Sequence, residues 1–167
     1  AFRAALSAGH TACHLASLAL DAALAGAWTK DAPADALGAP AFDSLAIQES
    51  RITPHSSRDV YRVGKSLRRK GFDPGALDDL DALASRVNHR LAAWVASGGD
   101  VHVETAGDTL ADRRMWVCVL PEGDARIPCG GTHLRSLAAL AAVTVSFTAA
   151  EVPGGLEMVM TTVATPA

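Results

Sequence analysis

The sequence contains few aromatic residues, few cysteines and no long apolar run. Phe, Trp and Tyr make up 5% of its residues although 49% are hydrophobic, so Leu, Val and Ala must fill most of the core. Three cysteines cannot all pair within one chain, and so few exclude a disulfide-rich secreted scaffold and favour a reducing cytoplasm. No apolar run reaches the ~18 residues that a membrane-spanning helix needs. We therefore expect a cytoplasmic protein without a membrane partner.

The chain has 167 residues, 20% of them charged, and a formal net charge of −3. This composition is typical of a folded protein and not of a disordered one. The length suits one domain that buries a substantial core. We therefore predict that residues 1–167 form a single domain.

Two helices are predicted from capping residues and hydrophobic periodicity. Ser7 can cap a helix that runs from about residue 8 to Gly26. A second, amphipathic helix follows the segment 73–75, because apolar residues then recur every three or four positions. It should end at Gly98, and its apolar positions are Leu77, Leu80, Ala84, Val87, Leu91 and Trp94.

Later segments rich in β-branched or aromatic residues are predicted to form strands, at 101–104, 115–120, 143–147 and 156–163. Residues 27–54 are rich in Ala, Pro, Asp and Gly and are predicted to be mostly loop, with a strand-like piece at 45–48. Helices followed by such strands predict an α+β fold, in which an antiparallel sheet packs against two main helices.

Two pairs of metal-binding residue types lie far apart in the sequence. His10 and His14 are four residues apart on the first predicted helix, so their rings project from one face about a turn apart. Cys129 and His133 flank a glycine-rich turn that can direct both side chains inward. Three imidazoles and one thiolate suit tetrahedral Zn²⁺ and do not suit the oxygen-preferring Mg²⁺ or Ca²⁺. The sequence therefore predicts one zinc site, while Cys13, between the two histidines, is expected to pack as a small hydrophobe.

Basic residues are concentrated in one part of the chain, which we call the basic stretch. Residues 58–70 contain six basic residues and one acidic residue, a local net charge of +5 in a chain of net charge −3. Such segregation is typical of a surface that contacts phosphates. We predict that RNA binds there, and a solvated basic face is the alternative. The predicted RNA-binding residues are Arg58, Arg62, Lys65, Arg68, Arg69 and Lys70.

The most distinctive motifs of the chain are His-Thr-Ala-Cys-His-Leu at 10–15 and Pro-Cys-Gly-Gly-Thr-His-Leu at 128–134. They resemble the HxxxH and CxGTH motifs of the AlaX proteins and of the editing domains of alanyl-tRNA synthetases. Weaker resemblance extends through 63–66, 70–73 and 155–158. Threonyl-tRNA synthetase editing domains share HxxxH but carry Pro where Thr132 stands. The small barrel-like domain that usually precedes HxxxH in trans-acting members has no counterpart ahead of residue 10.

The resemblance implies a zinc-dependent, trans-acting deacylase that hydrolyses the ester between a wrong amino acid and the 3′ end of tRNA. It also implies an editing-domain fold, with metal ligands His10, His14, Cys129 and His133. The expected acyl group is serine or a related β-hydroxy amino acid. Two alternatives stay open: a self-protection deacylase for a non-standard amino acid such as fluorothreonine on threonine tRNA, and a zinc-stabilised RNA-binding module without catalysis.

Several polar groups are candidates for contacting such a substrate. Backbone N–H groups around Gly131 are predicted to stabilise an oxyanion. Thr132 and Ser66 are predicted to hydrogen-bond the amino acid or the terminal ribose. Asp73 and Glu104 are interpreted as a cap and a strand-edge charge and not as partners of the substrate ammonium.

Overall fold

Two antiparallel sheets and four α-helices make up the fold in the computed structural model, which describes residues 1–109 and 111–167. In chain order the elements are α1 (Phe2–Ala23), α2 (Phe42–Ala46), β1 (Ile47–Thr53), β2 (Ser56–Gly64), α3 (Lys65–Arg69), α4 (Leu80–Ser97), β3 (Val101–Thr105), β4 (Arg114–Leu120), β5 (Gly123–Pro128), β6 (Leu140–Val152) and β7 (Gly155–Pro166). Short 3₁₀ turns lie at Ala25–Ala27, Pro74–Leu77 and Leu137–Ala139. The fold is therefore α+β, as the sequence predicted.

The strands form a larger sheet in the order β1-β2-β7-β6 and a smaller sheet in the order β3-β4-β5. The prediction of one sheet is wrong, because the first two predicted strands belong to the smaller sheet and the last two to the larger. The pattern of side chains along a strand indicates that it pairs but does not indicate with which partner. Buried side chains of both sheets, α1 and α4 form one continuous hydrophobic core.

Strands β1 and β2 lie where the sequence predicted no such pairing. The strand-like piece predicted at 45–48 overlaps the start of β1, but the prediction of loop for the rest of 27–54 is wrong at α2 and over the remainder of β1, which pairs antiparallel with β2. The inward positions of β2 include Ser57 and Asp59, which are 1% and 2% exposed, so the apolar alternation that signals a strand is missing. Asp59 accepts hydrogen bonds from the hydroxyls of Ser50 and Ser57. A satisfied polar network thus takes the place of apolar packing between these strands and α1.

The two long helices begin at positions other than those predicted. α1 begins at Phe2, because the Ala-rich residues ahead of residue 8 have high helix propensity, and it ends at Ala23 before Gly26. Ser7, the predicted cap, is buried inside α1. α4 begins after Asp79, whose side chain caps its first turn, and ends as predicted at Gly98, which has a left-handed φ of +62°. No helix formed by the described residues is long and apolar enough to cross a membrane.

Close contacts fix both helices on the larger sheet. Gly9 of α1 packs on the turn between β1 and β2, where an added Cβ would lie 2.4 Å from the carbonyl oxygen of Thr53. Only glycine permits this approach. On α4, the amide of Asn88 hydrogen-bonds both the N–H and the carbonyl of Val145 in β6. α1 is therefore held with one side against the sheet, and its histidine-bearing side is turned toward the smaller sheet, where His14 packs on Trp116.

Candidate metal centre

Four side chains from two distant parts of the chain meet beside α1. His10 and His14 project from α1, and Cys129 and His133 flank the turn that follows β5. Their potential ligand atoms all lie within 4.8 Å of one another. Cys129 Sγ is 3.4 Å from Nε2 of His10 and 3.4 Å from Nε2 of His133. The structure thus brings together the four residues predicted as ligands, in a cluster that could hold a metal ion; we call it the metal cluster.

Thr11 supports the metal cluster and was not predicted from the sequence. It is 0% exposed, and its Oγ1 lies 3.2 Å from Nδ1 of His133 and accepts a hydrogen bond from the N–H of Leu134 at 3.1 Å. A histidine that ligates through Nε2 keeps its proton on Nδ1, and an acceptor there fixes the tautomer and the ring orientation. Only one feature of the sequence points to Thr11: it lies three residues before His14, so the two side chains are neighbours on one face of the helix.

The glycine-rich turn packs directly on the His10 ring. A Cβ added to Gly131 would lie 2.3 Å from Cε1 and 2.6 Å from Nδ1 of His10, so only glycine fits. The His10 ring also hydrogen-bonds the backbone of Thr132. Gly130 differs, because the nearest atom to an added Cβ is 4.0 Å away, on Arg114. Gly131 therefore positions a predicted ligand, whereas Gly130 has room for a side chain.

Burial keeps the three clustered histidines neutral at pH 7. It lowers the pKa of His14 to about 4 and the pKa of His133 to about 3, and repulsion from the neighbouring histidines adds to both shifts. Burial also lowers the pKa of His10. Nε2 of His14 is buried and has no hydrogen-bond partner among residues 1–109 and 111–167. Neutral imidazoles and an unpartnered ring nitrogen are what a metal site requires.

The donor set fits zinc in kind and in spacing. Zinc prefers nitrogen and sulfur donors in a tetrahedron, and the metal cluster offers three imidazoles and one thiol. Tetrahedral zinc with ordinary bond lengths separates a sulfur from a nitrogen ligand by about 3.6 Å. The two sulfur–nitrogen distances of 3.4 Å are close to this value. The widest donor separation, within 4.8 Å, exceeds the roughly 3.3 Å between two nitrogen ligands of tetrahedral zinc, so metal binding would draw these side chains together.

Three other polar residues lie outside the metal cluster. Cys13 Sγ is 3.7 Å from Asp59 on the side of α1 that faces the larger sheet, and burial raises its pKa to about 12. Cys13 lies outside the metal cluster, which confirms that part of the prediction. Its partners are polar, so the prediction that it packs as a small hydrophobe is wrong. Asp73 caps a 3₁₀ turn, and Glu104 forms an exposed ion pair with Arg126. The predicted roles of Asp73 as a cap and of Glu104 as a strand-edge charge are therefore confirmed.

A pocket rich in arginine and a pocket rich in carboxyl groups border the metal cluster. The arginine pocket has a volume of about 670 Å³ and adjoins His133. Its polar side chains are those of Arg3, Ser7, Arg114, Thr132, His133 and Arg135. The carboxylate pocket has a volume of about 370 Å³, adjoins His14 and contains Asp21, Asp35 and Asp43 together with one arginine, Arg126. The side of the cluster at His133 therefore presents three arginines, and the side at His14 presents three carboxyl groups and one arginine.

The acids of the carboxylate pocket share a buried environment. Asp21 is 3% exposed, and its Oδ1 accepts a hydrogen bond from the backbone N–H of Asp43 at 2.7 Å. Burial raises the pKa of Asp21 to about 9, so this group is protonated at pH 7. Burial also raises the pKa of Asp43, although the Tyr61 hydroxyl donates to it at 2.6 Å and opposes that shift. Oδ2 of Asp35 is buried without a hydrogen-bond partner among the described residues.

The residues predicted to contact the substrate are separated in space. Gly131 and Thr132 line the arginine pocket, and Thr132 Oγ1 is 3.1 Å from Ser7 Oγ. The backbone N–H groups of Gly130, Gly131 and Thr132 donate to no protein acceptor in the part of the chain that the structure describes. Ser66 is exposed on α3 and lines neither pocket, so its role stays a prediction.

The basic stretch is divided between two elements. Arg58 and Arg62 of β2 are exposed and alternate with the buried Ser57, Asp59 and Tyr61, so they project from the face of the larger sheet opposite α1. The other predicted RNA-binding residues, Lys65, Arg68, Arg69 and Lys70, are exposed on α3 and at its end. None of the six lines either pocket beside the metal cluster. RNA binding by this stretch stays a prediction.

No protein-family model matches the sequence, and no curated protein matches it significantly.

Proposed function

We propose that the protein is a zinc-dependent hydrolase that cleaves the ester between an amino acid and the 3′ end of tRNA. The observation that carries the proposal is the metal cluster of His10, His14, Cys129 and His133, bordered by a pocket rich in arginine and a pocket rich in carboxyl groups. The two motifs that supply these residues are those that resemble the AlaX and alanyl-tRNA synthetase editing domains. The protein would act on tRNA already charged with the wrong amino acid.

The residues around the proposed ligands hold them in place before any substrate binds. Thr11 orients His133 through Nδ1, and Gly131 allows the turn to lie against His10. Second-sphere contacts of this kind raise metal affinity and fix ligand geometry. When bound there, zinc supplies Lewis acidity toward the ester carbonyl or toward an attacking water.

The turn at 130–132 supplies hydrogen-bond donors for developing negative charge. Ester hydrolysis passes through a tetrahedral species whose oxygen carries that charge, and preorganised backbone N–H groups stabilise it. The N–H groups of Gly130, Gly131 and Thr132 donate to no acceptor among residues 1–109 and 111–167, and their turn connects two of the proposed ligands, Cys129 and His133. These donors are held in place, because Gly131 is packed on His10 and Thr132 is hydrogen-bonded to it.

The two pockets differ in charge as the two sides of an aminoacyl ester do. The acyl side of the ester carries an ammonium group, and the nucleotide side carries phosphates. Asp35 and Asp43 border His14 together with the protonated Asp21, and the one arginine of that pocket, Arg126, is paired with Glu104. Guanidinium groups without an acidic neighbour in the pocket lie beyond His133. This difference favours one orientation of the ester across the metal cluster.

The proposed acyl group is serine or a related β-hydroxy amino acid. A site that hydrogen-bonds a hydroxyl rejects substrates lacking it far better than an apolar pocket rejects an added hydroxyl. Thr132 lies in the turn, and its hydroxyl is 3.1 Å from that of Ser7; we assign these two hydroxyls, where the arginine pocket meets the turn, to this recognition. Fluorothreonine on threonine tRNA is the alternative substrate, because it too carries a β-hydroxyl.

A zinc-stabilised RNA-binding module without catalysis is the second candidate function. One observation favours it: four protein donors complete the coordination of tetrahedral zinc, and closed sets of four are typical of structural zinc sites.

Deacylation by the purified protein tests the proposal against the second candidate. The substrates are tRNAs charged with serine, threonine, fluorothreonine, glycine and alanine, with and without a zinc chelator. We expect chelator-sensitive release of serine or fluorothreonine and slow release of alanine and glycine. Zinc and RNA binding without any deacylation would establish the non-catalytic module instead. Fastest release of alanine or glycine would contradict the hydroxyl preference alone.

A further inference from the structure

Three arginines from distant parts of the chain converge beside His133. Arg3 lies in the first turn of α1, Arg114 begins β4, and Arg135 follows His133 by two residues. They line the arginine pocket, and none of the lining residues that the structure describes is acidic. Positive charge is therefore concentrated on one side of the metal cluster, in a chain whose net charge is −3.

These three guanidinium groups are free to bind an external anion. Within 1–109 and 111–167, the arginines in ion pairs with carboxylates are Arg90 and Arg126. The backbone of the pocket is nevertheless fixed to the metal cluster, because the carbonyl of Arg114 accepts a hydrogen bond from the N–H of Cys129 at 3.1 Å. The carbonyl of Arg135 likewise accepts one from the first residue of β3 at 3.0 Å. Anchored arginines without partners present forked donors that match phosphate oxygens.

We propose that the arginine pocket binds the phosphodiester that precedes the terminal nucleoside of the tRNA. The inference rests on the proposed function and names the group that places the substrate. The amino-acid carboxylate of the substrate is esterified, so this phosphate, one ribose away, is the anion nearest the reacting ester. Gly131 and Thr132 line the same pocket while their turn touches His10. A phosphate held by Arg114 and Arg135 therefore brings the ester to the free N–H groups of that turn.

Two substrates that differ by one nucleotide and its phosphate test the proposal. They are 3′-seryl-adenosine and the dinucleotide cytidylyl-(3′,5′)-adenosine with serine on its 3′ end. The protein should cleave the dinucleotide with a kcat/KM higher by about tenfold or more, the usual contribution of hydrogen bonds to a charged group. Arg114→Gln and Arg135→Gln should each remove most of that preference by lowering kcat/KM for the dinucleotide alone. Arg86→Gln, exposed on α4 near the other end of α1, is the matched control and should change neither value.

The outcomes separate this inference from the proposed function. If the protein cleaves both substrates and neither arginine variant changes the preference, or each lowers both rates equally, the phosphate site is wrong and the hydrolase stands. A second measurement covers the case in which neither substrate is cleaved: binding of labelled single-stranded RNA ending in CCA. Binding that is about tenfold weaker in both arginine variants than in Arg86→Gln would then support the phosphate site without the hydrolase. Equal binding by all variants would overturn both.

Discussion

Two sets of basic residues in this protein differ in how the sequence and the fold arrange them. The basic stretch at 58–70 is contiguous along the chain, but the alternation of β2 and the change to α3 spread it over two surfaces. Arg3, Arg114 and Arg135 are far apart in the sequence, yet they share one pocket beside the metal cluster. A run of charge along a chain therefore identifies where phosphates can be attracted, whereas a site requires convergence on the reacting group.

The two sets of basic residues suit different tasks, because one is spread over two surfaces and the other converges on one pocket. Exposed charges act on RNA over a Debye length of about 8–10 Å and raise the rate and strength of encounter without fixing any one group. Arginines whose backbone is anchored beside the metal cluster can hold a single phosphate at a set distance from the ester. We therefore expect attraction and positioning to be separable by mutation.

The largest expected effect comes from removing the metal cluster, since the arginine pocket differs from the basic stretch in lying beside that cluster. Cys129→Ser should bring the zinc content from about one ion per chain to near zero and abolish deacylation. It should also lower the melting temperature, because metal-binding free energy is in part folding free energy. Elemental analysis, an activity assay and thermal unfolding measure the three effects. The control is Cys13→Ser, outside the cluster, and equal zinc content in the two variants would contradict the ligand assignment.

A second prediction compares two adjacent glycines in the turn that joins the arginine pocket to the metal cluster. Gly131→Ala should displace the His10 ring, because the new Cβ would lie 2.3 Å from Cε1. We expect zinc affinity to fall by roughly 10- to 100-fold, as when other second-sphere support is removed. In Gly130→Ala the nearest atom is 4.0 Å away, so affinity should stay at the wild-type value. Competition with a chromophoric chelator measures both, and similar affinities would show that the ring tolerates the methyl group.

A third prediction separates the basic stretch from the arginine pocket. The double variant Arg68→Glu, Arg69→Glu should weaken binding of full-length tRNA and reduce the slope of log affinity against log salt by about 0.7–0.9 for each phosphate that the protein no longer neutralises. Cleavage of the seryl dinucleotide should be unchanged, because α3 lines neither pocket. Fluorescence anisotropy over a salt series and steady-state kinetics supply the two readouts. Wild-type tRNA affinity in the double variant would make the stretch a solvated basic face.

The smallest expected effect concerns the carboxylate pocket and the pH dependence of stability. The pKa of Asp21 is raised from 3.8 to about 9 by burial, so between these pH values the folded state holds a proton that the unfolded state has released. The free energy of unfolding therefore falls as pH rises through that window. Asp21→Asn keeps an acceptor for the N–H of Asp43 and removes the titration.

The melting temperature of Asp21→Asn should exceed that of the wild type by more at pH 8 than at pH 5. The expected gain is about 2–4 °C for each kcal/mol of unfolding free energy recovered. The exposed Asp31→Asn is the control and should show no such dependence on pH. A constant difference between Asp21→Asn and the wild type at all pH values would mean that Asp21 is already charged in the folded protein.

The metal cluster could be predicted from the sequence because each half of it is local. His10 and His14 are one helical turn apart, and Cys129 and His133 flank one short turn, so spacing alone indicates two half-sites. The chemistry of tetrahedral zinc then predicts that the halves meet. Thr11 was missed because a buried hydroxyl that supports a ligand looks like an ordinary helix residue until its partner, His133, is known.

The arginine pocket and β2 could not be predicted, for two different physical reasons. The three arginines share no spacing, and only the packing of α1, β4 and the turn after β5 brings them together. The inward face of β2 carries the polar residues Ser57 and Asp59, whose burial depends on hydrogen bonds that form only when β1 pairs with β2, such as that from Ser50 to Asp59. α4 was predicted well, because its apolar period and its terminal Gly98 are both properties of one continuous segment.

A metal ion held by His10 and Cys129 would also act as a cross-link between the two ends of the fold. These residues are separated by 119 positions along the chain. In the chain-entropy treatment of disulfides, closing a loop of about 100 residues reduces the entropy of the unfolded chain by the equivalent of about 4.7 kcal/mol. A coordination bond has this effect only while the ion stays bound in the unfolded chain; an ion released on unfolding stabilises the fold through its binding free energy instead. The ion would therefore tether α1 to the smaller sheet, and the order in which the two sheets come apart under denaturant would depend on whether it is bound.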